Sequence, residues 1–160
     1  MKRLIILFIV FSQTIYSQYK INTQPEQVWV DSTYNSLTFE EKVGQLFMIA
    51  AYSNKKEDHA QDLDKLITKY KIGGLIFFQG GPNRQAKLTN RFQAKSKIPM
   101  LIGIDAEWGL SMRIDSTHSY PWNMTLGAIK DNSLLEKMGI QMADQSKRLG
   151  IHFTFGPVVD

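Results

Sequence analysis

Between residues 36 and 160, apolar runs alternate with amphipathic stretches. The runs at 46–51, 72–79, 100–105 and 152–159 hold few polar residues and are bounded by Gly, Pro or charged segments. Unbroken apolar runs of this length predict strands covered on both faces. Between them, Leu63, Leu66, Ile67 and Tyr70 recur at i, i+3, i+4 and i+7, which predicts a helix over 58–71. Thr38 followed by Glu41 is a capping box and starts a short helix that ends near Gly44. Pro82 suits the first turn of a helix running to about Ala94. Asp131 or Ser133 caps a last helix, with Leu134, Leu135, Met138, Met142 and Leu149 turned inward. Lys147 and Arg148 sit at its negative end and Gly150 stops it. Residues 19–35 predict a polar, surface-running lead-in, and 121–127 a loop. Strand and helix alternate, so the fold class is α/β with parallel strands.

Polar groups recur where these strands end: Gln79, then Asp105 and Glu107, then Asp160. Pattern alone does not separate an open sheet from a closed barrel, but a barrel gathers all such strand ends at one mouth. The run into Asp105 is the most informative. A charge buried without a partner is very costly, so a core strand that runs into two acids marks a place where those acids have work. In α/β proteins that place is the ligand site. Trp108 follows the acids. An indole offers an apolar face to a sugar ring, and carboxylates accept from its hydroxyls, although Trp108 serves equally well as packing. Residue chemistry alone leads to an acidic site for a polar, hydroxylated ligand.

Residues 1–17 read as a secretory signal: Lys2 and Arg3, the apolar run from Leu4 to Phe11, then Ser17 before Gln18. The run is shorter than the roughly 20 apolar residues that span a bilayer, so no stable membrane anchor is expected. The formal charge of +4 comes from 19 basic and 15 acidic residues; without Lys2 and Arg3 it is 17 against 15, or +2. Such a balance makes no case for nucleic acid. Lys55 and Lys56 are interleaved with Glu57 and Asp58, as on a solvated helix face. The chain has no Cys, which excludes disulfides and thiolate metal sites. His59, His118 and His152 are scattered without metal spacing, so neither metal nor cofactor is expected. Gly73, Gly74, Gly80 and Gly81 flank a strand without forming a nucleotide-binding loop. Asn123 and Thr125 match a glycosylation sequon, a three-residue match common by chance.

Several stretches together resemble the N-terminal domain of glycoside hydrolase family 3. They are 41–47, 72–78, 99–113, Tyr120-Pro121 with Leu126-Gly127, and 149–160. The resemblance covers about residue 36 to the end and is most similar to the bacterial β-N-acetylglucosaminidase branch. That branch carries roughly D-x-E-G-G-x-x-x-R around the third strand. Asp105, Glu107, Gly109 and Arg113 are in register with it; Trp108 stands where Gly is usual, Ala106 where Gln is common and Leu110 where Arg is common.

The resemblance implies the N-terminal half of a TIM (β/α)8 barrel, cut after about the fourth strand, with 1–17 as signal, 18–35 as lead-in and 36–160 as the partial barrel. It implies that Asp105 accepts hydrogen bonds from a sugar in the −1 subsite. Arg113 would line the site or pair with Glu107 or Asp160, and Glu107, Trp108 and Asp160 complete the candidate substrate-binding set. The nucleophile Asp and the acid/base His of the branch are expected downstream, so no catalytic residue is expected among these 160. The implied function is an exported, periplasmic or secreted, retaining exo-β-N-acetylglucosaminidase acting on terminal GlcNAc of peptidoglycan or chitin-type glycans. The alternatives are a non-catalytic sugar-binding or scaffolding module on the same barrel, or a β-glucosidase-type member.

Overall fold

A computed structural model describes residues 25–158. The signal segment and Asp160 lie outside the described residues. The chain divides into two units, Met1–Ser36 and Leu37–Asp160. In the first, the segment expected as a polar, surface-running lead-in holds a helix, α1 (Glu26–Asn35). Pro25 precedes it, Glu26 places an acid in its first turn, and Gln27 donates to Asp31 one turn on at 2.9 Å.

The second unit is α/β. Its elements are α2 (Phe39–Gly44), β1 (Met48–Tyr52), α3 (Glu57–Tyr70), β2 (Gly74–Gln79), α4 (Pro82–Lys95), β3 (Leu101–Ile104), a 3-10 turn at Leu110–Met112, α5 (Asn123–Leu126), α6 (Asn132–Arg148) and β4 (Phe153–Thr154). The four strands are parallel and lie in the order β1-β2-β3-β4. That is the sequence order expected of the first βα units of a barrel.

Local chemistry sets the elements. Thr38 accepts from the Glu41 N–H at 3.2 Å while Glu41 accepts from the Thr38 N–H at 3.1 Å, closing the capping box that starts α2. Strand β1 begins two residues later than its apolar run, because the Leu46 and Phe47 N–H groups bond back to Val43 and Gly44 carbonyls. Leu46 and Phe47 are left exposed. Asp131 caps α6 through the Ser133 N–H, and Gly150, at φ +67°, takes the left-handed turn that ends it. In α6, Leu135, Met138, Met142 and Leu149 form the half-buried stripe, whereas Leu134, one residue off it, is exposed. The segment predicted as loop at 121–127 contains the single turn α5.

Alternation along the strands makes two faces. Leu75, Phe77, Ile102 and Ile104 form one buried cluster with Leu63 and Ile67 of α3 and Phe92 of α4. The other face carries Ile76, Phe78 and Gly103. Gly103 leaves room for two rings: a Cβ there would sit 3.0–3.1 Å from Phe153 and Phe155, which would have to shift to admit it. The run at 152–159 predicts a long buried strand, but only Phe153–Thr154 pairs. Pro157 has no N–H to donate, and β3 is the sole strand beside β4 among the described residues. Phe155 and Val158 are consequently exposed. No helix among the described residues is long and apolar enough to cross a membrane.

Candidate functional site

Asp105 is the first residue beyond β3, and its backbone is clamped on both sides. The Phe155 N–H donates to the Ile104 carbonyl at 2.9 Å, and the Ala106 N–H donates to Thr154 Oγ1 at 3.1 Å. The chain then turns back on itself. Gly109 sits at φ +102°, where a Cβ would lie 2.7 Å from the His118 carbonyl, so only glycine makes this turn without strain. Leu110 anchors the 3-10 turn in the core, and the Asp115 N–H bonds to the Gly80 carbonyl at the end of β2 at 2.8 Å.

This excursion brings Arg113 back over Asp105. Arg113 Nη2 lies 2.6 Å from Asp105 Oδ2, with the two side chains 25 % and 22 % exposed. The guanidinium carbon is 4.9 Å from the centre of the Phe78 ring. Phe78 stacks on Tyr52 at 5.7 Å and 22°, and Lys55 Nζ lies 3.8 Å from the Tyr52 ring centre. Strand ends of β1, β2 and β3 are thereby joined in one row: Lys55, Tyr52, Phe78, Arg113, Asp105. A break in register between Ala51 and Tyr52 sets Tyr52 opposite Gln79 at the edge of this mouth.

The arrangement is a donor–acceptor pair. Asp105 Oδ2 is taken by Arg113, while Oδ1 has no partner among the described residues. Arg113 Nε is buried and likewise has none. The unpartnered carboxylate oxygen suits a hydroxyl of a ligand, which would donate to it.

The other candidates divide. Glu107 does not meet Arg113, as the resemblance allowed. Its Oε2 accepts from Asn123 Nδ2 at 2.9 Å and from the Val158 N–H at 3.3 Å, tying α5 and the segment after β4 to the β3 loop. The side-chain amide of the sequon residue is spent on that tie. Among the described residues the carboxylate partner of Arg113 is Asp105, because the 3-10 turn lands the guanidinium on the strand end; the pairing expected with Asp160 lies outside them. Trp108 is half-buried and its carbonyl accepts from the Tyr120 N–H at 2.9 Å. Tyr52 and Phe78, which line the mouth, were not singled out by sequence. Their signal was there: each is an aromatic one or two positions before its strand meets polar residues.

Two of the three histidines serve the backbone. His59 Nε2 accepts from the Tyr52 N–H at 3.2 Å, and burial followed by the nearby Lys55 charge lowers its pKa, which favours that neutral acceptor form. His152 Nδ1 accepts from the Ile102 N–H at 2.8 Å. No group of three His, Asp or Glu side chains that could hold a metal occurs among the described residues.

Parallel βα units with a paired carboxylate at the strand ends define an α/β domain of the barrel type with a polar site at its carboxyl edge. The comparisons make it specific: residues 38–160 match the glycosyl hydrolase family 3 N-terminal domain, and the chain belongs to that family. It is 26 % identical over 132 residues to a β-N-acetylglucosaminidase/β-glucosidase of Cellulomonas fimi, covering 82 % of this chain and 23 % of that protein. Among solved structures, it is similar to a family 3 β-N-acetylglucosaminidase from Paenibacillus sp. str. FPU-7, with 33 % identity and a TM-score of 0.64 over 76 % of this chain and 24 % of that one. It is also similar to the β-glucoside phosphorylase BglX bound to 2FGlc, with 28 % identity and a TM-score of 0.76 over 87 % of this chain and 25 % of that one. The chain thus spans about a quarter of the length of these relatives.

Proposed function

We propose that the full-length protein is a retaining exo-β-N-acetylglucosaminidase that removes terminal GlcNAc from peptidoglycan or chitin-type glycans. The observation that carries this reading is the Asp105–Arg113 pair, held at the end of β3 with one carboxylate oxygen left without a partner among the described residues. In it Asp105 and Arg113 grip the terminal sugar. The two reacting groups that retaining chemistry needs across the scissile bond come from chain beyond these residues. A chromogenic GlcNAc glycoside is the test: the full-length protein hydrolyses it, and release of the β-anomer first reports retention. No turnover of any terminal GlcNAc substrate overturns the enzyme reading in favour of a sugar-binding module.

A second reading, a β-glucosidase-type member, is favoured by the similarity to the β-glucoside phosphorylase. A kcat/KM for the glucoside above that for the GlcNAc glycoside would select it. Export is the third element, motivated by the basic start, apolar run and Ser17. N-terminal sequencing of exported protein should begin at Gln18; a mature form that keeps Met1 removes the export reading.

A further inference from the structure

Tyr52 closes β1, and the break in register between Ala51 and Tyr52 interrupts the ladder just before it. A backbone N–H beside such a break still needs an acceptor. A side chain of α3 supplies it. His59 Nε2 accepts from the Tyr52 N–H at 3.2 Å, and the same imidazole meets the Tyr52 ring edge-on, with centres 5.6 Å apart at 67°. The start of α3 fixes His59 in turn: its N–H lies 2.9 Å from Asp58 Oδ1 and 3.2 Å from the Lys56 carbonyl. His59 and Tyr52 are both half-buried.

Only the neutral ring makes this bond. An Nε2 that accepts leaves the ring proton on Nδ1; a second proton turns Nε2 into a donor, and two donors then face each other across the same 3.2 Å. The charged groups facing the ring are Lys55, from the turn before α3, and Asp58 and Asp62 of α3, while β1 meets it with the Tyr52 ring. Burial lowers the His59 pKa below the usual 6.5 and Lys55 lowers it further; Asp62 and Asp58 work the other way and do not prevail. The accepting form is therefore fully present above pH 6.5 and is lost as pH falls through the lower folded value.

What His59 holds in place reaches the strand-end site. Tyr52 stacks on Phe78 at 5.7 Å, the Phe78 ring backs the Arg113 guanidinium at 4.9 Å, and Arg113 lies 2.6 Å from Asp105. The row is contiguous, so a shift of Tyr52 removes the support behind Arg113. We propose that His59 is a positioning residue for Asp105 and Arg113: its neutral ring fixes Tyr52, its protonation releases Tyr52, and capture of the sugar weakens as pH falls. This inference rests on the GlcNAc-hydrolase reading above.

The test measures kcat and KM of the full-length protein, His59→Gln and His59→Ala on a neutral chromogenic GlcNAc glycoside between pH 7.5 and pH 5. Gln offers an acceptor oxygen at similar reach and does not titrate. At pH 7.5 His59→Ala should raise KM about three- to tenfold, the factor of one ordinary hydrogen bond, with kcat within about twofold. His59→Gln should match the parent there. Toward pH 5 the parent's KM should climb to the His59→Ala value, whereas that of His59→Gln should stay flat. A loss of kcat from titration of the reacting groups is common to all three proteins and leaves this comparison intact. A purely structural role for His59 would lower the melting temperature without separating the KM profiles of parent and His59→Gln. Equal KM in parent and His59→Ala at pH 7.5, or one shared pH profile of KM in parent and His59→Gln, overturns the inference. Where His59→Ala does not fold, the comparison of parent with His59→Gln decides alone. If the full-length protein turns over no GlcNAc glycoside, the hydrolase reading fails, and titration calorimetry with GlcNAc itself decides this one: Kd should rise toward pH 5 in the parent and not in His59→Gln, and the absence of that difference overturns it.

Discussion

Removing Arg113 should damage substrate capture through Asp105 and do little else to the fold. The two side chains are about three-quarters buried, with Nη2 and Oδ2 2.6 Å apart. Unit charges about 4 Å apart at an effective dielectric near 20 attract by about 4 kcal/mol, and desolvation of both groups takes back much of that. The net value of a hydrogen bond to a charged group, about 1.5–3 kcal/mol, is the better guide, and partial solvent access puts this pair at the low end. Arg113→Met keeps an apolar stem against Phe78 and loses the fork. Its kcat/KM on a chromogenic GlcNAc glycoside should fall about tenfold, since 1.4 kcal/mol corresponds to a factor of ten. Asp105→Asn loses the ionised acceptor as well and should fall about 10–100-fold. Arg113 acts through Asp105, so the double variant should be little worse than Asp105→Asn alone and far short of the product of the two losses. Arg113→Lys keeps charge without the planar fork and should recover only part of the activity. The assay is a double-mutant cycle on the full-length protein, with thermal melts and near-UV CD as controls for folding. Strictly additive losses would show that the two residues act independently, and the pairing would then carry no functional weight.

Two further outcomes follow from the packing. Residues 18–160 produced alone should show no glycosidase activity and no sharp cooperative melt, because among the described residues β1 and β4 each have one unpaired edge and Phe39, Phe47, Leu101 and Phe155 are exposed; clear turnover or a cooperative melt of a monomer would refute this. Asp64, whose side chain is 12 % exposed, joins α3 to α4 through Arg91 at 2.6 Å and Lys95 at 2.8 Å. Burial works to raise its pKa, but the hydrogen bonds from Arg91 and Lys95 outweigh it and hold the carboxyl below the usual 3.8. The contribution is therefore present above pH 3.8 and lost as pH falls through the lower folded value. Asp64→Asn should cost ~2 kcal/mol at pH 6 and progressively less below pH 3.8; a gap in urea midpoint that persists undiminished at pH 2 would count against it.

What could be read from the sequence was what is local. The α2 capping box needs only Thr38 and Glu41, and α3 needs only its stripe of Leu63, Leu66, Ile67 and Tyr70; both are found where periodicity and capping chemistry put them. The apolar runs also located the strands, since nothing but burial on two faces tolerates them. Ends were less legible. Phe47 is as apolar as Ile49, yet its N–H is spent on the turn out of α2, and which carbonyl an N–H finds is not written in hydrophobicity. In the same way the run at 152–159 overstated β4, because a strand's length depends on both neighbours and on Pro157 having no donor. The helix at Glu26–Asn35 was hidden by polar composition with little amphipathic contrast.

The site was legible in its residues and not in its pairings. Asp105 and Arg113 were both candidates, but the 3-10 turn that joins them is a matter of Gly109's positive φ and Leu110's burial, neither of which specifies a partner from eight residues away. Glu107, two positions from Asp105, looked equally chemical and proves to be the tie between α5 and the end of β4. Charge was the least legible of all. Neighbours in sequence suggested that Lys55 and Lys56 were balanced by Glu57 and Asp58, yet in a helix the first turn spreads successive residues by about 100°. Glu57 therefore points at Arg91, 34 positions away. Net charge along the chain was unaffected, but its distribution was, and it is the distribution that a ligand meets.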